Sequence, residues 1–349
     1  MEEKVRVLIV DDSAFFRKRI RLQLEYTGEV LIAGEASNGR EAVEMAASLR
    51  PDLITMDVAM PLLDGISAVR EIMRDHPTDI LMVSALTRDG ARATLDALHA
   101  GAVDFLAKQG GVTGDAERPV TDDLGSRVIS IARRKQGRRA MSGSPVMSPV
   151  ASRPLRGGRR RGALRLVAIG ASTGGPVAVQ RVLSELPASY PYPVLVAVHM
   201  PAEFTLTFAE RLDSVCAIEV GHAADGDELL AGRALIAPGG RQTLVEASGD
   251  RLRVRVKPGG DQLYQPSVDV LFGSAARSLG HAVHAVVLTG MGADGTAGAR
   301  LLKERGSSVW SQDQASSVIF GMPHAVAKAG HSDRVLALDD IGPALSGIT

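Results

Sequence analysis

Residues 164–176 read LRLVAIGASTGGP, an apolar run from Leu164 to Ile169 that passes directly into a glycine-rich turn around Ser172 and then into an amphipathic helix. A buried strand, a tight turn and a helix in that order are the repeating unit of a parallel sheet with helices on its faces. Two chemistries use such a turn. One lays a pyrophosphate on the helix N-terminus; the other is a Gly-x-Ser-x-Gly elbow that exposes a nucleophile. A dinucleotide site also needs an acid at the end of the next strand to hold the ribose. Here the next apolar run, Pro193 to Val198, ends in His199, whose imidazole suits a general base.

A third apolar run, Ala285 to Thr289, leads into Gly290-Met291-Gly292-Ala293-Asp294-Gly295 and sets Asp294 beyond another strand end. A serine hydroxyl is a weak nucleophile at neutral pH, so it needs a base within reach and an acid that fixes the base's tautomer. Ser172, His199 and Asp294 meet that need if their strands share one sheet edge. Their order along the chain is not that of the common α/β-hydrolases, which place the acid second, and that fold is not assigned. Backbone N–H groups of the 290–295 turn, Met291 foremost, are candidates for an oxyanion hole. The other candidates carry less. His281 and His284 are three apart at a strand entrance and face opposite sides, so they should not share a metal. Cys216 lies in no base-bearing motif and reads as packing.

Outward from this region, 349 residues with 45% hydrophobic content imply two domains. Lysine plus arginine and aspartate plus glutamate are equal at 40 each, which leaves no global attraction to nucleic acid or an anionic membrane. One cysteine excludes an internal disulfide or a zinc cage and fits a reducing, cytoplasmic compartment. The initial apolar run is cut short by Asp11 and Asp12, so it reads as a strand and not as a signal peptide. The longest uncharged stretch, Leu186 to Ala202, holds four prolines and is no membrane helix. No acid occurs from Leu124 to Ser184, and arginine, glycine, serine and proline dominate 133–165. That composition reads as a solvated linker; no aromatic residue interrupts it to stack on bases. The expected division is a domain at 1–125, a basic linker at 126–163 and a second domain at 164–349.

The first domain shows four apolar runs, Val5 to Val10, Leu53 to Met56, Ile80 to Val83 and Val103 to Leu106, alternating with helical segments. This predicts an α/β, doubly wound parallel sheet, in which ligands gather beyond the carboxyl ends of the strands. The residues there are Asp11 and Asp12, Asp57, Ser84 and Lys108. Three carboxylates at one edge call for a hard divalent cation such as magnesium, and the hydroxyl and ammonium suit the oxygens of a transferred phosphoryl group.

Over about residues 4–122 the chain resembles the flavodoxin-like receiver domain of two-component response regulators, through VLIVDDS, ITMDVAMPLLDGI, LMVSALT and GAVDFLAK. The resemblance implies phosphorylation at Asp57, Mg2+ held by Asp11, Asp12 and Asp57, phosphoryl contacts from Ser84 and Lys108, and Phe105 as the switch aromatic. Gln109 stands where receivers commonly have proline, and Ala59 where related methylesterases often have an acid. From about 164 to 345, IGASTGGP, HMP with FAERL, APGGRQ, PSVDVLF, VVLTGMGADG and SVIFGMP resemble the Rossmann-like, doubly wound catalytic domain of chemotaxis protein-glutamate methylesterases. That resemblance implies Ser172 as nucleophile, His199 as base, Asp294 as orienting acid, with Thr173 and Met291 in support. It also implies methylated chemoreceptors as substrate, a chemotaxis histidine kinase as phosphodonor, an esterase step that uses no cofactor, and an unphosphorylated receiver that covers the active-site mouth. Gln242 and Gln265 replace the family's frequent histidine and arginine. Two rival readings remain: a non-catalytic binding output domain acting through the arginine-rich segment, and a nucleotide-binding enzyme using the Gly170 turn.

Overall fold

The computed structural model describes residues 3–108, 124–141 and 164–348, and the chain forms two compact units, Met1–Val146 and Met147–Thr349. In the first, strands β1 (Val5–Val10), β2 (Val30–Ala36), β3 (Leu53–Met56), β4 (Asp79–Ala85) and β5 (Asp104–Lys108) alternate with helices α1 (Ala14–Glu25), α2 (Gly39–Leu49), α3 (Gly65–Asp75) and α4 (Arg88–Ala100). The fifth helix, α5 (Leu124–Met141), follows β5. All strand pairs are parallel and the order is β2-β1-β3-β4-β5, the flavodoxin-like arrangement.

Two features differ from the sequence reading. Strand β2, with sequence VLIAGEA, has no fully buried centre: its pattern is buried only at Val30 and Ala36, because it lies at the sheet edge. The second is α5, which occupies residues assigned to the linker from 126 onward. Leu124, Val128, Ile131 and Ala132 are fully buried at spacings of four, three and one, a helical stripe that the basic composition conceals. This stripe packs toward α1, β1, β3 and β4. Three of its arginines pair within the same unit: Arg127 meets Asp104 at 2.9 Å, Arg133 meets Glu29 at 2.5 Å and Arg134 meets Asp79 at 3.6 Å. The rest of the predicted linker, 142–163, and Gln109 lie outside the described residues.

The second unit carries β6 (Leu166–Ala171), α6 (Gly175–Leu183), β7 (Val194–Val198), α7 (Ala202–Val215), β8 (Glu219–His222), β9 (Arg233–Ile236), β10 (Arg241–Ser248), β11 (Arg251–Pro258), α8 (Val268–Leu279), β12 (Val283–Val287), α9 (Thr296–Glu304), β13 (Ser308–Gln312), α10 (Met322–Lys328), β14 (Arg334–Leu336) and α11 (Leu338–Ser346). Seven strands form an all-parallel sheet ordered β14-β13-β12-β6-β7-β9-β8, while β10 and β11 form a separate antiparallel hairpin. Central β6 and β12 are buried at every position, as a sheet covered on both faces requires. The sheet grows outward from β6 in one direction through β7, then in the other through β12. The crevice between β6 and β12 is therefore the topological switch point, where doubly wound sheets bind ligands.

Candidate active site

Ser172 and His199 follow the ends of adjoining strands. Ala171 of β6 pairs in register with Val198 of β7, and the His199 N–H donates to the Ala171 carbonyl at 3.1 Å. On the opposite side of β6, the Ser172 N–H donates to Thr289 O at 3.0 Å, just past β12. The serine thus lies between the strand that carries the imidazole and the strand that leads to the carboxylate. Gly290 makes this approach possible: a Cβ there would lie 2.8 Å from Ser172 Cβ and 2.4 Å from Met322 Sδ. Gly174, at the N-terminus of α6, has φ of 73°, a left-handed conformation that turns the chain from strand into helix.

Asp294 and His199 are in direct contact, His199 Nε2 lying 2.8 Å from Asp294 Oδ2. The same carboxylate closes the N-terminus of α8. Oδ2 also accepts from the Val268 N–H at 2.7 Å, and Oδ1 accepts from Ser267 Oγ, the Asp269 N–H and the Gly295 N–H at 3.0, 2.9 and 3.0 Å. Asp269 reciprocates by accepting from the Gly298 N–H of α9 at 2.7 Å. Burial alone would push the Asp294 pKa up. The hydrogen bond and charge of His199, with the Asp269 and Val268 N–H groups, outweigh it and hold the carboxyl below its ordinary value.

With Nε2 on the acid, the imidazole's other nitrogen, Nδ1, is buried and has no hydrogen-bond partner among the described residues. A nitrogen whose ring partner is bound to a carboxylate in this way is the lone pair that can take a proton. The ring is therefore used in the reverse sense to the Ser-His-Asp template, in which Nδ1 faces the acid. Thr173 is fully buried and its carbonyl accepts from Thr289 Oγ1 at 2.9 Å. Met291 is half-buried, and among the described residues its N–H has no acceptor, which leaves it available to a developing oxyanion.

Tyr264 and Ser267 escaped the sequence reading, and Gln242 figured there only as a departure from the resembled family. The Tyr264 ring stacks flat on His199, centroids 4.1 Å apart and planes 6° from parallel. Ser267 both caps α8 and donates to Asp294. Gln242 is buried, with Nε2 donating to Tyr264 O at 2.7 Å and Oε1 accepting from the Ser267 N–H at 2.9 Å. Its amide is consumed inside the protein. The half-buried Gln265 folds back on its own loop, donating to Gly260 O at 3.0 Å. Of the remaining candidates, His284 is buried edge-on to Trp310 at 4.1 Å while His281 is exposed. Burial pushes the Cys216 thiol up, away from thiolate chemistry.

In the first unit, Asp11 and Asp57 follow β1 and β3, which are neighbours at that sheet's switch point. Lys108 Nζ bridges them, 2.7 Å from Asp11 Oδ2 and 3.0 Å from Asp57 Oδ1. Asp11, Asp12 and Asp57 offer oxygens within 4.8 Å of one another. Burial raises the pKa of both Asp57 and Asp11 despite the lysine, because one ammonium does not offset two buried carboxylates. That shortfall of positive charge fits a divalent cation. Ser84 and Lys108 are the penultimate residue of β4 and the last of β5, not residues past the strand ends, because both strands extend beyond their apolar runs. Ser84 and Phe105 are buried, and Ser84 Oγ lies 3.4 Å from Gly90 O.

The CheB methylesterase family model matches residues 167–345, and the response regulator receiver domain model matches residues 7–113. A protein-glutamate methylesterase/protein-glutamine glutaminase of Alkalilimnicola ehrlichii is 52% identical, covering 98% of this chain and 99% of its own length. A protein of the same description from Pseudomonas aeruginosa is 52% identical, with 97% of each chain covered. The crystal structure of the Thermotoga maritima CheB methylesterase catalytic domain matches 54% of this chain and all of its own, at 36% identity and a TM-score of 0.52.

Proposed function

The chain belongs to the CheB methylesterase family, with a response-regulator receiver ahead of its catalytic domain, and from that premise we infer a phosphorylation-regulated hydrolase acting on the γ-methyl esters of receptor glutamates. Receptor glutamines are deamidated at the same site. The observation that carries this reading is the His199–Asp294 contact at 2.8 Å beside the Ser172 strand end.

In the proposed reaction Ser172 Oγ attacks the ester carbonyl while His199 Nδ1 takes its proton. Asp294 holds Nε2–H and stabilises the imidazolium. The Met291 N–H faces the oxyanion of the tetrahedral intermediate. Collapse expels methanol, protonated from Nδ1, or ammonia when the substrate is glutamine. A water deprotonated by Nδ1 then releases glutamate and restores the serine. The esterase step takes no cofactor in this reading.

Asp57 is the proposed phosphoryl acceptor, with a chemotaxis histidine kinase as donor. Asp11, Asp12 and Asp57 would hold Mg2+, which supplies charge neutralisation for phosphoryl transfer, and Lys108 and Ser84 would meet the phosphoryl oxygens. Phe105 is the proposed aromatic reporter of that state. Phosphorylation raises activity only by stabilising an open arrangement more than a closed one. A nucleotide site at the Gly170 turn is disfavoured because the residue where a ribose acid belongs, His199, is bonded to Asp294. Among the described residues no helix is long and apolar enough to cross a membrane; a cytoplasmic site of action belongs to the proposed reading. Methanol release from membranes bearing methylated chemoreceptor tests the esterase reading. The full-length protein releases it and Ser172→Ala does not; retained activity in that variant overturns the serine mechanism.

A further inference from the structure

The residue that touches the most reactive part of the site without belonging to the triad is Tyr264. It sits half-buried between β11 and α8, beside Leu263, which is 85% exposed. The tyrosine ring lies parallel to the His199 imidazole at 4.1 Å. The segment is pinned from below by Gln242, which grips the Tyr264 carbonyl with one end of its amide and the Ser267 N–H with the other. Ser267 in turn donates to Asp294, which holds His199 Nε2. The contacts close into a loop of five residues: Gln242, Tyr264, His199, Asp294 and Ser267. One buried glutamine thereby braces both the edge and the face of the imidazole.

A single hydrogen bond from Nε2 to Asp294 leaves the imidazole free to swing about that bond's axis. A flat ring against its face removes that freedom and holds the imidazole, and with it Nδ1, in one plane. We propose that Tyr264 is a positioning residue that fixes the plane of the His199 imidazole, with Gln242 as its anchor. The aromatic face also favours the imidazolium formed when Ser172 gives up its proton, as aromatic faces favour cations generally. The role needs a flat aromatic ring and makes no use of the phenol hydroxyl. It rests on the reading of His199 as the base.

The test compares full-length wild type with Tyr264→Phe, Tyr264→Leu and Ser172→Ala in methanol release from methylated receptor membranes, with kcat and KM resolved and Tm recorded for each. Tyr264→Leu lowers kcat by about 10- to 100-fold, the scale of a modest misplacement of a reacting group, with KM and Tm little changed. Tyr264→Phe recovers most of that loss. In NMR spectra the ring protons of His199, shielded by the stacked ring in wild type and Tyr264→Phe, move downfield in Tyr264→Leu. Wild-type kcat in Tyr264→Leu overturns the proposal. So does equal impairment by Phe and Leu, which assigns the role to the hydroxyl, and so does a rise in KM with kcat intact, which makes Tyr264 a substrate contact. The Ser172→Ala arm keeps the two readings apart: if it is inactive while the Tyr264 pattern fails, only the positioning role falls, and if it is active the serine mechanism itself falls.

Discussion

Replacing Asp294 with asparagine separates the catalytic from the architectural work of this carboxylate. Oδ1 accepts from three donors, Ser267 Oγ and the N–H groups of Asp269 and Gly295, while Oδ2 accepts from two, the Val268 N–H and His199 Nε2. The amide oxygen of Asp294→Asn therefore takes the Oδ1 place, and its NH2 faces the Val268 N–H, which lies 2.7 Å from Oδ2 in the native protein. One buried donor left without an acceptor costs about 2 kcal/mol. In a domain of this size that lowers Tm by roughly 4–8 °C. The larger effect is on the imidazole. Facing an NH2, His199 presents a bare Nε2 and carries its proton on Nδ1, so the nitrogen needed to deprotonate Ser172 is blocked. In a serine triad the wrong tautomer costs about 10⁴ in kcat, or about 5.5 kcal/mol of barrier, well beyond the stability loss. The assay is methanol release under single-turnover conditions, paired with thermal melting and with ¹⁵N NMR of the imidazole. A variant whose kcat stays within about tenfold of wild type, or whose Nδ1 carries no proton, refutes the reversed-ring arrangement.

Three further outcomes follow from the packing and the charges. Gly290→Ala sets a methyl 2.8 Å from Ser172 Cβ and 3.0 Å from its backbone nitrogen, so activity falls by about 10- to 100-fold with Ser172 still present; an undiminished rate shows that the strand end yields freely. Asp57→Asn removes one of two buried carboxylates that a single lysine fails to neutralise, so the N-terminal unit melts at a higher temperature without Mg2+ at neutral pH while activation by acetyl phosphate is lost. Because burial raises the folded pKa of Asp57 and Asp11 above the unfolded 3.8, their penalty is absent below pH 3.8 and grows as pH rises through the folded values. Added Mg2+ should therefore raise the melting temperature more at pH 7 than near pH 4, and an equal effect at both contradicts this account.

Much of the site was legible because its parts are strand termini. A buried strand announces itself by an unbroken apolar run, and parallel sheets bring the residues just beyond such runs to one edge; that logic reaches Ser172, His199, Asp294, Asp11, Asp57 and Lys108. It fails where the signal is spread over distance or masked by charge. β2 is half-exposed and interrupted by Gly34 and Glu35, so it lacks the run. α5 hides four buried apolar positions among its arginines. Gln242, Tyr264 and Ser267 come from the hairpin and the α8 entrance, and nothing local marks a glutamine that spans two backbone groups 22 and 25 residues away. Which imidazole nitrogen meets the acid is likewise decided by how α8 presents its N-terminus to Asp294, a relation between segments far apart in the chain.

The carboxylate shared between helix ends has a further consequence. Asp294 joins the start of α8 to the imidazole, and Asp269 joins the same turn to α9, so the proton relay exists only after pieces of chain separated by about a hundred residues have docked together. A nascent or partly collapsed chain holds the serine but no means of activating it. Hydrolytic competence is thus switched on by completion of the fold, and loss of turnover is an early alarm for loosening at α8.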